Sequence, residues 1–414
     1  MQCTLPSPVL ASSSEITLAP SERASAQVAV SPSALLAAFA SVPDPRRRQG
    51  TRFPLPAILA LAVAAILSHH ISVLAIAEWG AGQGRDLLRS LGFLEGVTPH
   101  QSTLQRLFRK LDPNHLSEAL SCYFATSTSA SANTRPRGSE GVAIDGKAQR
   151  GRLAFDPSGC PVHALSAFLH EQGIVLAQEP IEKGGPTQKA EAELTVAPEL
   201  LKRIDWQGRV MTGDALFAQR NVCTYVVEAR GDYLLTVKEN QPTLYDDIRL
   251  LFDPPEPCPL DDRREARSVD HGHGRHNDTR HLVASTDLVG YTDWPYLAQV
   301  FRLERTWQER GVAKREVHYG ISSLPPQIAD ANRLLELKRG HWRIENSDHR
   351  VKDVTMGEDA SLIHLGNGPT VMAILRDLTL GLLHRAGFRS IASRLRYNST
   401  HPETAVAMLT APSP

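Results

Sequence analysis

Three carboxylates occupy positions from which metal-assisted phosphodiester chemistry could be built. Asp145 follows the short apolar run Val142-Ala143-Ile144, and Asp214 follows Arg209 to Thr212 through Gly213. Both runs predict buried strands. Neighbouring parallel strands that each end in Asp bring two carboxylates to one sheet edge, where open α/β sheets bind ligands. Glu345 lies in Arg339-Gly340-His341-Trp342-Arg343-Ile344-Glu345-Asn346, within a predicted helix from about Asp330 to Val351. On that helix His341, Glu345, His349 and Lys352 share a face. A pocket of carboxylate oxygens suits Mg²⁺ or Mn²⁺ rather than zinc. Two such ions roughly 3.5–4 Å apart can activate a hydroxyl and stabilise a leaving oxygen in phosphodiester cleavage. Taken singly, each Asp reads better as a turn or cap residue. The strand order joins them.

Cations surround these acids. Lys352 follows Glu345 by two helical turns and is predicted to clamp a phosphate; the alternative is a surface Lys paired with Asp348. Lys147, Lys238 and Arg339 are further candidates for phosphate contact, and Asn240 either joins them or opens a loop. Farther upstream, Leu104, Leu107, Phe108 and Leu111 recur at helical spacing, while Arg106, Arg109 and Lys110 project from other faces. A basic face beside an apolar stripe suits a helix that touches DNA phosphates, as does the cluster Arg46-Arg47-Arg48. The whole chain carries 45 basic and 45 acidic residues, yet Arg46 to Arg150 holds 13 Lys/Arg against 7 Asp/Glu, a local excess of +6. Such a face can bind a polyanion on a neutral protein. His271, His273, His276 and His281 invite a zinc reading, but no cysteine or close carboxylate completes a tetrahedral set.

The positioning elements follow from the texture of the chain. Residues 1–32, rich in Ser, Ala and Pro, read as a tail. Residues 33–124 read as a helical domain, with helices at 33–40, 55–67 and 73–88 and another opened by Thr98-Pro99 as cap and first position. Residues 125–140 read as a linker. The order then becomes strand, hairpin (Val162–Leu169 and Ile174–Glu179), helix (189–204, broken at Pro198), strand, helix (219–230), strand (233–237). Residues 239–326 interrupt with polar and strand-like sequence. Helices at 330–351 and 369–385 close a catalytic domain spanning 141–400, with 401–414 as a tail.

Composition excludes other classes. With 42% hydrophobic and 22% charged residues the chain reads as an ordinary globular protein. Five cysteines without close pairs, and no signal-peptide pattern, point to the cytoplasm. The apolar run Ala57 to Leu67 is shorter than the ~20 residues of a membrane span, so no membrane partner is expected.

The ordered motifs resemble those of DDE transposases of the H-repeat-associated, ISAs-type insertion-sequence family. They are Asp44-Pro45-Arg46, Gln101-Ser102-Thr103-Leu104-Gln105-Arg106, Ile144-Asp145-Gly146-Lys147, Gly213-Asp214-Ala215-Leu216, Leu235 through Pro242, His341 through Asn346, and Asp353-Val354-Thr355 with Glu358-Asp359-Ala360-Ser361. The resemblance implies an α/β, ribonuclease H-like core with a β-rich insertion at about 239–326, preceded by a small all-α domain. It implies Asp145, Asp214 and Glu345 as the metal-binding catalytic triad, and two Mg²⁺ or Mn²⁺ ions per site. The implied partners are double-stranded DNA, as terminal inverted repeats and target, and further copies of the chain on that DNA. Two positions depart from the pattern. His273 to Arg280 has an extra residue and Asp278 in place of Glu, and the usual Leu-His-Trp is Asp348-His349-Arg350. Two readings remain: an enzyme that cuts element ends and joins the 3′-hydroxyls to target, or a decayed copy that only binds DNA.

Overall fold

A computed structural model of the protein describes residues 33–47, 51–128, 135–149, 162–181, 189–256, 259–272, 275–309 and 311–410. The expected tail at 1–32 lies outside them. Six helices come first: α1 (Ala34–Ser41), α2 (Leu55–Leu67), α3 (Val73–Ala81), α4 (Arg85–Ser90), α5 (Gln101–Phe108) and α6 (Pro113–Thr128). The apolar run becomes α2, buried on nearly every side by α1, α3 and three helices from the far end of the chain: α11 (Gly368–Arg385), α12 (Ile391–Thr400) and α13 (Pro402–Thr410). No helix among the described residues is long and apolar enough to cross a membrane. Residues 402–410 are therefore no tail: Ala405, Val406 and Leu409 bury an apolar stripe against α2. The expected single helix at 73–88 is two, interrupted at Gly82-Gln83-Gly84, where two glycines lower helix propensity. The cap of α5 is His100 rather than Thr98, its Nδ1 accepting the Ser102 N–H.

One nine-stranded sheet holds the rest together, in the order β3-β2-β1-β4-β5-β9-β8-β7-β6. The strands are β1 (Glu140–Gln149), β2 (Val162–Leu169), β3 (Ile174–Ile181), β4 (Arg209–Gly213), β5 (Asp232–Val237), β6 (Arg264–Gly272), β7 (Arg275–Ser285), β8 (Gln299–Glu309) and β9 (Val312–Ser322). β1, β4 and β5 are parallel; β2 and β3 form the expected hairpin on one side, and β9 joins β5 antiparallel on the other. The polar span 239–326 thus contributes α9 (Pro242–Phe252) and four strands that extend the same sheet. α7 (Lys189–Lys202) packs on β2 and β3, and α8 (Arg220–Glu228) on β5. Pro198 does not break α7, because Ala197, Leu200 and Leu201 bury that stretch of the helix. Two described residues of the expected linker are tied to the sheet and its loops. Arg135 donates to the Gln207 carbonyl at 2.6 Å, and Arg137 forks onto Asp232 at 2.8 and 2.9 Å.

Alternation sorts β1 and β4 into two faces. Val142, Ile144 and Met211 enter the main core with α7, while Ala143 packs with Phe168 and Ile344, and Val210 with the α10 (Ala331–His341) leucines. The second face carries the acids.

Candidate active site

In the β1–β4 register Ala143 is opposite Thr212. Asp145 and Asp214 lie two residues beyond that pair on adjacent parallel strands, so both belong to the Ala143/Val210 face. Asp145 is not a strand-end residue as its sequence context suggests. β1 continues to Gln149 because antiparallel β2 pairs with it from Val142 to Gln149, whereas the parallel partner stops at Ala143. Asp145 Oδ1 accepts the Gly146 N–H at 2.9 Å, and Asp214 Oδ1 accepts the Leu216 N–H at 2.9 Å, capping a 3₁₀ turn. Asp214 is exposed and Asp145 half-buried.

α10 crosses β1, β4 and β5 on this face. It approaches closely because Gly141 and Gly340 clasp the His170 ring, leaving no room for a Cβ on either. His170 Nε2 lies 3.0 Å from Thr212 Oγ1, which lies 3.3 Å from His341 Nδ1. Burial, then Arg343, pushes His170 down to about 3, and burial also lowers His341, so both rings stay neutral. This link between β4 and α10 has no spacing signature in the sequence. Neither does Lys338, whose Nζ bonds Thr236 Oγ1 at 2.5 Å; burial pushes it down to about 8, while Asp214 favours its charged form.

The predicted helix at 330–351 stops at His341. Ile344–His349 and Val351–Thr355 are π-helical, with Arg350 N–H donating to Glu345 O and Met356 N–H to Val351 O. π turns are rare and recur at functional sites. Ile344 anchors the segment on Ala143 and Phe168, which brings Glu345 to the acid-bearing face. Burial raises the Glu345 carboxyl. His349 Nδ1 lies 3.6 Å from Asp145 Oδ2. Among the described residues no three carboxylate, imidazole or thiol side chains are grouped so as to share a metal ion. Asp145 and Asp214 share one face of the sheet, and the segment bearing Glu345 packs on that face, without a closed ligand shell.

Several predicted phosphate contacts are corrected. Lys352 is 1% exposed, with Nζ 2.7 Å from Asp348 and 2.5 Å from Asp377. An extra residue per π turn rotates it away from Glu345, so it is neither a surface Lys nor open to a phosphate. Lys147 is likewise buried, 2.5 Å from Asp353 and bonded to Glu358. Arg339 is exposed and pairs with both Asp270 oxygens at 2.8 and 2.9 Å, an open pair that does not exclude phosphate. Arg46 staples its own turn, forking onto Asp44 and donating to the Phe53 carbonyl. Asn240 donates to the Ala215 carbonyl, tying the loop after β5 to the turn at Asp214. Lys238, Arg47, Arg106, Arg109 and Lys110 are exposed, and Leu104, Leu107, Phe108 and Leu111 are buried as the spacing predicts. Arg48 lies outside the described residues, as do the side chains of 271–277; His281 bonds Glu265 at 2.8 Å.

Residues 137–380 match the family described as Transposase DDE domain, and residues 36–124 match its companion, DDE_Tnp_1-associated. The chain belongs to the DDE transposase family. It is 26% identical to "Putative transposase YncI" of Escherichia coli O157:H7, over 90% of this chain and 94% of that protein. It is also 26% identical to "H repeat-associated putative transposase YhhI" of Escherichia coli K12, over 83% and 88%. A piggyBac transposase synaptic complex with hairpin DNA aligns at TM-score 0.37 and 12% identity, over 91% of this chain and 77% of that one.

Proposed function

We propose that the protein is a transposase that cleaves DNA at the ends of an insertion sequence and joins the freed 3′-hydroxyls to target DNA. The observation that carries this is the register: Asp145 and Asp214 take equivalent places on adjacent parallel strands, and Ile344 seats the Glu345 segment on the same face. The strand order β3-β2-β1-β4-β5, three antiparallel strands followed by two parallel to β1, supports a ribonuclease H-like core. The donor set is all hard oxygen and fits Mg²⁺ or Mn²⁺, with Asp145, Asp214 and Glu345 as the residues that would hold two ions. When bound, such ions activate the attacking hydroxyl and stabilise the leaving oxygen.

The chain's own groups do the rest. Asn240 and the Leu216 N–H fix the Asp214 turn. Lys238 and the α5 cations offer their charges to phosphate oxygens, which orients DNA without reading its sequence. Self-association would place one site at each element end.

The test uses purified protein and a supercoiled plasmid carrying the parent element's ends. Cleavage is expected with Mg²⁺ or Mn²⁺ and none with EDTA, and Asp145→Asn should abolish it with the fold intact, since several kcal/mol of transition-state stabilisation are lost. Cutting by Asp145→Asn at the parent rate refutes the triad. End binding by the parent without any cutting assigns the chain to DNA binding alone.

A further inference from the structure

Two residues beyond Asp145, on the same side of β1, Lys147 turns inward and meets the far end of the chain. Its ammonium bonds Asp353, inside the second π segment, and Glu358, just beyond it. Glu358 is 3% exposed and takes Arg376 of α11 on its other oxygen at 3.5 Å. Arg376 in turn reaches the Ile71 carbonyl, between α2 and α3. Within the same segment, Lys352 is gripped by Asp348 and Asp377. The Glu345-bearing segment is thus fastened downstream of Glu345 by two buried sets of charges, to the Asp145 strand through Lys147 and to α11 through Lys352, while Ile344 holds its other end on Ala143 and Phe168.

A buried ion pair is poor evidence for stability, because desolvation can exceed the attraction between the charges. What such a pair fixes is geometry. The segment needs that, because its backbone is π-helical, a rare conformation that persists where its surroundings determine it. We propose that Lys147 is a positioning residue: its pairs with Asp353 and Glu358 tie the strand bearing Asp145 to the segment bearing Glu345 and so set the separation of the two carboxylates. The proposal rests on the catalytic reading above for its consequence, but the clamp itself has an independent readout.

The experiment compares the parent with Lys147→Met, Lys147→Arg and Asp353→Asn in the full chain. Amide hydrogen exchange reports the clamp, and calorimetric Mn²⁺ titration of the DNA-free protein reports the carboxylate geometry. Lys147→Met should raise exchange at 344–358 at least tenfold while β4 and α2 stay protected, and should weaken Mn²⁺ binding at least tenfold. Lys147→Arg, which keeps charge and reach, should recover most of both. Asp353→Asn leaves the Glu358 pair in place and should shift each about threefold, which keeps the test decisive if Lys147→Met does not fold. Parent-like exchange at 344–358 in the folded variants overturns the clamp whether or not the protein cuts DNA. Faster exchange with unchanged Mn²⁺ affinity overturns the positioning role. Failure of the parent to bind Mn²⁺ in an Asp145-dependent way overturns the catalytic reading instead.

Discussion

The two halves of the nine-stranded sheet treat charge in opposite ways. Beside β1 and the π segments, Lys147, Lys352, Glu358 and Asp377 are each less than a tenth exposed, and each is held by an opposite charge. Along β8 and β9, beyond the buried Asp278, pairs lie closer to water: Arg315 on Glu304 and Lys314 on Glu309. Inside, deleting one partner strands the other in a medium that cannot solvate it. Outside, water replaces it. Similar ion pairs therefore fix geometry in one half and decorate a surface in the other.

The contrast can be broken at its strong end first. Glu358→Ala should cost about 3–5 kcal/mol, because it leaves Lys147 and Arg376 short of a counter-charge. Urea unfolding measures this, and a loss below 1 kcal/mol would erase the distinction between the halves.

Acid separates the halves by window. His170 is neutral in the fold at about 3 and returns to about 6.5 on unfolding, so the stability of its neutral burial is complete above pH 6.5 and drains as pH falls toward 3. Glu304 runs lower. Arg315 and then Arg302 hold it near 2, against 4.5 unfolded, so its contribution is complete above 4.5 and fades between there and 2. Unfolding curves at pH 6.5 and 5 should show the parent weakening, His170→Asn weakening less, and Glu304→Gln following the parent. If Glu304→Gln alone flattens that interval, the assignment is reversed.

The α5 cations are a third case, exposed and facing solvent. Replacing Arg106, Arg109 and Lys110 together by Ala should flatten the log–log salt dependence of DNA binding by ~0.9 per lost phosphate contact. An unchanged slope makes this a solvated helix face. The smallest effect belongs to Lys314→Ala, on an open pair with Glu309: less than about 1 kcal/mol, and less still in high salt. A larger loss would mean that the outer strands, too, depend on their charges.

Local pattern made much of this legible. The hairpin, β4, α2 and the buried stripe of α5 follow from periodicity and turn chemistry, and the proposal of Asp145, Asp214 and Glu345 rests on the motif order. What was hidden depends on partners distant in sequence. Asp145 sits mid-strand because β2 pairs past it, and Pro198 is tolerated because the sheet holds α7. Lys352 misled most. Its spacing from Glu345 places it on the Glu345 face only if the turns are α-helical, and nothing local announces a π segment. Lys147, in a motif that reads as phosphate-facing, finds its carboxylates more than 200 residues away.

The antiparallel seam between β5 and β9 also has a consequence for how the protein is made. As the chain emerges from a ribosome, β5 is complete with its outer edge bare, and the strand that covers it, Val312–Ser322, arrives only after α9 and three further strands. An uncovered edge is a template for pairing with another chain. The nascent protein therefore passes through an interval of exposure that ends only when β9 docks, and the Glu345 segment is synthesised after that. Asp145 and Asp214 are made long before Glu345, so a truncated product carries the two Asp strands beside a β5 edge left uncovered.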